Sequence, residues 1–368
     1  MPRRIGFTLS VLFVILIQGC SDSTPIKIGF ISGTSGRVAD LGIDSRNGAT
    51  LATELRNASG GINGRQIELI SKDDQQNPDV AIKHIQELIN NGVVAIVGPS
   101  TSSIATAIEP IASQSKLLLL GVTPTTNELS GKDDYFFRTV SATRHVATKN
   151  AQHQLKLGAD SFAIALDTRN LAYTQSWSDD FRTAVNQAGG TIKLVLPFAS
   201  SDDTPFPDIA RQLIDSGANG IVMVANSVDT ALLAQNIRKL DTKVALAAAE
   251  WAGTERLIEL GGKSVEGLSV AQYINRYSDN PDYQLFKKRY IDRFKREPGY
   301  AGAIAYNAAQ VVFTSIAQQH PNESLKQTLL RIRTFNGLQE PIRFDDYGDS
   351  LGRSYMTRVV DGKLIVVD

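Results

Sequence analysis

From residue 26 onward, short apolar runs alternate with longer stretches in which apolar positions return every three or four residues. The runs are Ile26–Ile31, Gln66–Ile70, Val93–Val97, Leu117–Gly121, Ser161–Leu166, Ile192–Leu196, Gly220–Val224 and Lys243–Ala247. They are too short for ordinary helices and carry few interruptions, so they predict strands. Between them, Leu51, Ala52 and Leu55 share a helical face ahead of Gly60-Gly61. Ala81, Ile82, Ile85, Leu88 and Ile89 share another, which Asn90-Asn91-Gly92 should stop. Ala231, Leu232 and Gln235 repeat the spacing after Gly220–Val224. Nearly unbroken apolar strands separated by helices predict parallel sheets covered on both faces. The expected class is α/β, doubly wound.

Near residue 280 the pattern turns to helices. Tyr283, Phe286, Tyr290 and Phe294 fall on one face, and Glu297-Pro298-Gly299 ends it. Ala301–Gln318 and Leu325–Ile332 read as further helices, and Pro341–Phe344 and Tyr355–Val367 as short strands, the second broken by a turn at Asp361-Gly362. A chain of 368 residues has room for two cores. No internal repeat or low-complexity linker is evident, so two lobes here imply that the chain crosses between them more than once.

Charge and composition narrow the chemistry. Lys+Arg and Asp+Glu are both 38, for a formal net charge of zero, which lacks the cationic surplus of a nucleic-acid binder. Four histidines (His84, His145, His153, His320) and one cysteine argue against a buried zinc or iron–sulfur site, and no cofactor is expected. Gly262-Lys263-Ser264 has Leu257 where a phosphate-cradling loop needs glycine, and Gly33-Thr34-Ser35-Gly36 has the wrong spacing for a nucleophile elbow. The pairs Asp73-Asp74 and Asp345-Asp346 sit beside turn-forming residues and read as solvated loop ends. The chain is not expected to be an enzyme.

The N-terminus opens Met1-Pro2-Arg3-Arg4 and continues in a mostly apolar run from Ile5 to Ile17, suited to a signal-peptide core. It ends Leu16-Ile17-Gln18-Gly19-Cys20, which resembles a bacterial lipobox. On that reading residues 1–19 are removed, Cys20 is lipidated, and residues 20–24 form a polar tether. The alternative is an ordinary signal peptide with an incidental cysteine.

Two loops concentrate hydroxyl groups. Ser100-Thr101-Ser102-Ser103 follows the Val93–Val97 strand and precedes a helix marked by Ile104, Ala107, Ile108 and Ile111, which Pro110 should kink or shorten. Val122-Thr123-Pro124-Thr125-Thr126-Asn127 follows the neighbouring strand. Free amides and hydroxyls at a helix start favour an anion, and ligands of open α/β sheets sit beyond the carboxyl ends of strands. The same hydroxyls could merely cap the helix. Glu250-Trp251 ends the strand Val244–Ala249 in the other half of the chain, where Glu250 could cap the next helix or face a ligand.

These loops and the lipobox resemble the leucine/isoleucine/valine-binding protein family, type I periplasmic-binding-fold receptors of amino-acid ABC transporters. The resemblance spans nearly all of residues 25–368. It is carried by Gly33-Thr-Ser-Gly-Arg, Gly60-Gly-Ile-Asn-Gly, Val97-Gly-Pro-Ser-Thr-Ser-Ser, Gly121–Ser130, the helical block Phe286–Ile316, and Phe344-Asp345 with Gly348-Asp349. It implies that Ser102 and Thr125 clamp a ligand α-carboxylate, with backbone contact from Ser103. It implies that the Thr123 carbonyl, the Thr125 hydroxyl and Glu250 receive the α-ammonium. Tyr173 stands where the family often has an aromatic residue, Asn226 replaces a tyrosine of some members, and Leu41 replaces an aromatic residue at the side-chain pocket, while Trp251 adds bulk near the ammonium site.

The function expected from the resemblance is a lipid-anchored, extracytoplasmic, monomeric receptor that captures an amino acid between two lobes and delivers it to an ABC permease. Lobe 1 is expected at residues 25–140 and 275–334, and lobe 2 at 141–274 and 335–368. Hinge crossings are expected near Thr139–Ser141, Gln272–Tyr273 and Thr334–Gly337. The competing reading is a sensor or regulatory lipoprotein of the same fold, taking an amide, urea-like or aromatic-acid ligand or an envelope protein partner.

Overall fold

The computed structural model describes residues 24–368. The expected signal segment and Cys20 lie outside the described residues. Strand β1 (Ile26–Ser32) opens the fold, followed by α1 (Ala39–Ala58), β2 (Ile67–Asp73), α2 (Pro78–Asn90), β3 (Ala95–Val97), α3 (Ser102–Gln114), β4 (Leu118–Gly121) and β5 (Phe136–Arg138). These strands form one parallel sheet in the order β2-β1-β3-β4-β5. Ile28 and Phe30 of β1 pack with the layer of α1, and Ile31 packs with the layer of α2 and α3, so the strand is buried from both sides.

The second lobe begins with α4 (Thr143–Lys156), then β6 (Ser161–Asp167), α5 (Leu171–Gln187), β7 (Thr191–Phe198), α6 (Phe206–Asp215), β8 (Gly220–Val224), α7 (Ser227–Leu240), β9 (Ala245–Ala248), α8 (Glu255–Gly261) and β10 (Ser269–Gln272). The chain continues through α9 (Pro281–Phe294), α10 (Tyr300–Ala317), α11 (Leu325–Ile332) and the two-stranded β11 (Thr334–Phe335) and β12 (Ile342–Arg343). It closes with β13 (Tyr355–Val360) and β14 (Lys363–Val366), which complete a sheet of order β14-β13-β10-β9-β8-β6-β7. That sheet is parallel from β7 to β10, as the apolar runs predict, with β13 and β14 added antiparallel at its edge. The turn at Asp361-Gly362 joins the two antiparallel strands.

Helix α10 lies against α1 and belongs to the first lobe. A Cβ at Gly48 would meet the Gly302 carbonyl oxygen at 2.0 Å, so α10 can lie this close to α1 only because position 48 carries no side chain. Buried Asp44 of α1 ties the start of α10, accepting from the Gly299 and Gly302 amides at 3.1 and 2.5 Å and from the Tyr290 hydroxyl at 2.6 Å. The chain therefore passes between the sheets after Arg138, after Gln272 and between Ile332 and Tyr355.

The apolar runs locate eight strands, with ends shifted by three residues or fewer. Periodicity missed β5 and β10, which are short and end in Arg138 and Gln272. It also missed α4, whose inner face mixes Val146, Ala147 and Ala151 with Asn150 and Gln154. Pro110 neither ends nor shortens α3, which runs on to Gln114. Its face of Ile104, Ala105, Ile108 and Ala112 is buried in the core and outweighs one lost backbone bond. Asp74 is buried, not solvated, and desolvation pushes its carboxyl up to about 6.

Candidate functional site

Strands β3 and β4 are neighbours, so the loops leaving their carboxyl ends lie side by side. Ser102 opens α3, and its Oγ accepts from the Thr125 and Thr126 amides at 3.1 and 3.3 Å. With the oxygen's lone pairs engaged by amides, the Ser102 hydroxyl proton is left to donate. The Thr125 hydroxyl is buried and meets no hydrogen-bond partner. Thr123 Oγ1 donates to the Ser100 carbonyl at 2.5 Å, and Ser100 Oγ lies between Ser32 Oγ (2.7 Å) and Ser45 Oγ (3.0 Å). Buried Arg138 holds the second loop from behind, through the Thr126 carbonyl at 2.9 Å, Asp349 and Ser130.

The facing wall comes from the second lobe. Glu250 follows β9 and does not cap α8, whose N-cap is Thr254. Its carboxylate accepts from Trp177 Nε1 at 2.8 Å and from the Tyr273 hydroxyl at 3.2 Å. No lysine or arginine pairs with it among the described residues, and burial pushes its carboxyl up to about 7 despite those donors. Tyr173 of α5 stands edge-on to Trp251, with ring centroids 5.9 Å apart. The Tyr173 hydroxyl lies beside Glu250 and meets no partner in hydrogen-bonding geometry.

Between these walls is a cavity of about 10 Å³. Ser100, Ser102, Thr123, Asn170 and Glu250 supply its polar lining, and Tyr173, Trp251, Tyr273 and Tyr300 its aromatic lining. The structure thus gathers Ser102, Thr123, Tyr173 and Glu250 from the sequence-predicted set. Thr125 stands one hydrogen bond behind Ser102. Ser103 joins the lobes instead: its amide donates to Asn170 Oδ1 at 3.0 Å and its Oγ accepts from the Ala172 amide at 3.3 Å. Asn226 does not line the cavity. It caps α7, accepting from the Asp229 amide at 3.0 Å and donating to Asp229 Oδ2 at 2.8 Å, which occupies both ends of its side chain. Leu41 lines a separate cleft with Asp40 and Asp44, on which Tyr300 also borders.

Sequence reasoning missed Asn170, Tyr273, Tyr300 and Trp177 as site residues. Asn170 closes a polar turn after β6, the same signal that marked the first-lobe loops. Tyr273 was noticed only as a crossing, and Tyr300 follows the helix-ending Glu297-Pro298-Gly299. Trp177 gave no signal, because it stacks on Phe181 at 5.2 Å and reads as core.

Two α/β lobes are thus joined by three passages, with a polar cavity where their strand ends meet. The chain belongs to the periplasmic binding protein family, whose profile it matches over residues 25–363. A leucine-, isoleucine-, valine-, threonine-, and alanine-binding protein of Pseudomonas aeruginosa is 24% identical over 333 residues, 88% of this chain and 87% of that one. A leucine binding protein from Thermotoga maritima superposes with a TM-score of 0.86 at 23% identity, covering 93% of this chain and 98% of its own. An ABC-transporter solute binding protein from R. palustris, in complex with benzoate, superposes with a TM-score of 0.85 at 15% identity, covering 94% of this chain and 96% of its own.

Proposed function

We propose that this chain captures a free amino acid between its two lobes and delivers it to an ABC-transporter permease, as a monomer held outside the cytoplasm by a lipid on Cys20. Residues 25–140 and 275–334 would form the lobe that first receives the ligand. Residues 141–274 and 335–368 would close over it, about the crossings at 139–141, 272–273 and 334–337. The observation that carries the ligand class is the cation-free, buried Glu250 facing Ser102 across the cavity. A zwitterion matches both walls: its ammonium supplies the counter-charge that Glu250 lacks, and its carboxylate takes the Ser102 proton, with the orphaned Thr125 hydroxyl close behind. The names of the Pseudomonas and Thermotoga relatives agree with this class. The closed cavity holds no more than about one water, so a solute enters while the lobes are apart.

A second reading, an aromatic acid, is favoured by the four aromatic rings on the lining and by the benzoate-bound relative. It requires Glu250 to be protonated, so that a carboxylate does not face a carboxylate. A thermal-shift panel on ligand-stripped protein, running amino acids beside benzoates and amides, tests both. A bound ligand at 100 times its Kd stabilises by about 2.7 kcal/mol, which reads as a rise of several degrees. Shifts with amino acids support the receptor, and shifts with benzoates alone would overturn the zwitterion.

A further inference from the structure

The segment just after β1 reaches across the cleft without touching the ligand cavity. Arg37 Nη1 donates to Asp229 Oδ1 at 2.7 Å, while Nη2 reaches the Ser201 carbonyl at 2.6 Å and Asp202 Oδ1 at 2.9 Å. Three residues on, Asp40 Oδ2 accepts from Ser227 Oγ at 2.8 Å and from Thr254 Oγ1 at 2.6 Å. Two residues of the first lobe, Arg37 and Asp40, thus engage three separate segments of the second: 201–202 after β7, 227–229 at the start of α7, and 254 before α8.

The pair at the centre is not a surface contact. The Asp229 side chain is 0% exposed and that of Arg37 is 17% exposed, whereas Asp202 is 98% exposed and contributes little. Asp229 is also aimed. Asn226 donates to its Oδ2 at 2.8 Å, leaving Oδ1 for Arg37. The two ends of the Asn226 side chain are spent on holding Asp229, which explains why this residue is absent from the cavity lining.

We propose that Arg37 and Asp229, with Asn226 aiming the carboxylate and Asp40 adding two hydroxyl contacts, form a latch between the lobes that sets how long the closed state lasts and leaves ligand choice untouched. These are positioning residues: they act through the relative placement of the lobes. In the closed state each charge is matched by the other. Removing Arg37 leaves Asp229 buried without a counter-charge when the lobes are shut, and removing Asp229 leaves Arg37 only the exposed Asp202, so the penalty falls on the closed state.

The affinity part of the test rests on the solute-binding reading, and the scattering part does not. The variants are Arg37→Ala, Asp229→Asn, the double variant, and Arg37→Lys. Small-angle X-ray scattering without ligand is compared at low and high NaCl, and leucine, alanine and benzoate are used as binding probes. The single variants should show a larger radius of gyration than wild type at low salt. Any probe that wild type binds should dissociate roughly 10- to 100-fold faster from them, with association unchanged and the order of probes preserved. The double variant should be no worse than either single one, and Arg37→Lys should recover part of the loss. Scattering and dissociation indistinguishable from wild type in Arg37→Ala would overturn the latch, as would losses that simply add in the double variant. If no probe binds wild type, the functional reading fails separately, and scattering alone decides the latch.

Discussion

The Trp177 indole and the Glu250 carboxylate meet at 2.8 Å, Nε1 to Oε2, at the wall of the second lobe. The indole is buried and stacked on Phe181, so it holds one carboxylate oxygen in place without neutralising it. A neutral donor orients the charge and leaves it unbalanced, which suits a group waiting for a cation.

Replacing Glu250 by Gln keeps the shape and removes the charge. Amino-acid binding should weaken by roughly 2–4 kcal/mol, since one member of a buried charge pair is lost. Benzoate binding should be unchanged or stronger. Isothermal titration of both ligands with both proteins checks this, and undiminished amino-acid affinity would remove Glu250 from the ammonium site.

The pH dependence of binding has a definite sign. The free Glu250 carboxyl is raised to about 7, and an ammonium ligand binds its charged form. Amino-acid affinity should therefore rise with pH, by up to about tenfold per unit below 7, and level off above. A ligand carrying only a carboxylate should show the reverse slope. Titrations between pH 5.5 and 8.5, in buffers of different ionisation enthalpy, would also count the proton released.

Ligand-free stability should run the other way. Glu250 holds its proton more tightly folded than unfolded, so its contribution is full below the ordinary 4.5 and is lost as pH rises through about 7. That loss amounts to up to about 3 kcal/mol at 1.36 kcal/mol per unit. Buried Asp44, raised to about 6 by desolvation and then by the charge of Glu255, adds a slope of the same sign. Comparing urea unfolding of wild type with Glu250→Gln at each pH cancels Asp44 and isolates Glu250.

Tyr173→Phe separates binding from folding. The hydroxyl is buried without a partner, so its removal should leave the ligand-free protein equally stable or about 1 kcal/mol more stable. If the hydroxyl serves the ligand, affinity should fall by a similar amount. Urea melts and titration on the same preparation give the two numbers, and a stability loss above 1 kcal/mol would mean the hydroxyl has a structural partner.

Much of this was legible in the chain. Strands buried on both faces must be nearly continuous in apolar residues, so β1, β3, β4, β6 and β8 announce themselves. Hydroxyl-rich turns at their carboxyl ends mark the first-lobe wall, Ser102 with Thr123 and Thr125. The elements that escaped include α4 with Asn150 and Gln154, β5 with Arg138 and β10 with Gln272, whose burial is partly polar, and also α5 and α6, whose apolar faces were not picked out.

What the sequence determined by itself is the alternation of strands and helices, the two-lobe plan and the polar loops, because each rests on periodicities and turn chemistry within a few residues. Only the tertiary structure decided that Trp177 and Tyr273 orient Glu250, that Asn226 serves Asp229 rather than the cavity, and that Arg37 crosses to the other lobe. Trp177 and Glu250 are 73 positions apart, Arg37 and Asp229 are 192 apart, and such pairs leave no periodic trace. The first forms when the second lobe folds and the other when the two lobes are brought face to face, and burial then raises the Glu250 carboxyl and makes the Arg37–Asp229 pair matter.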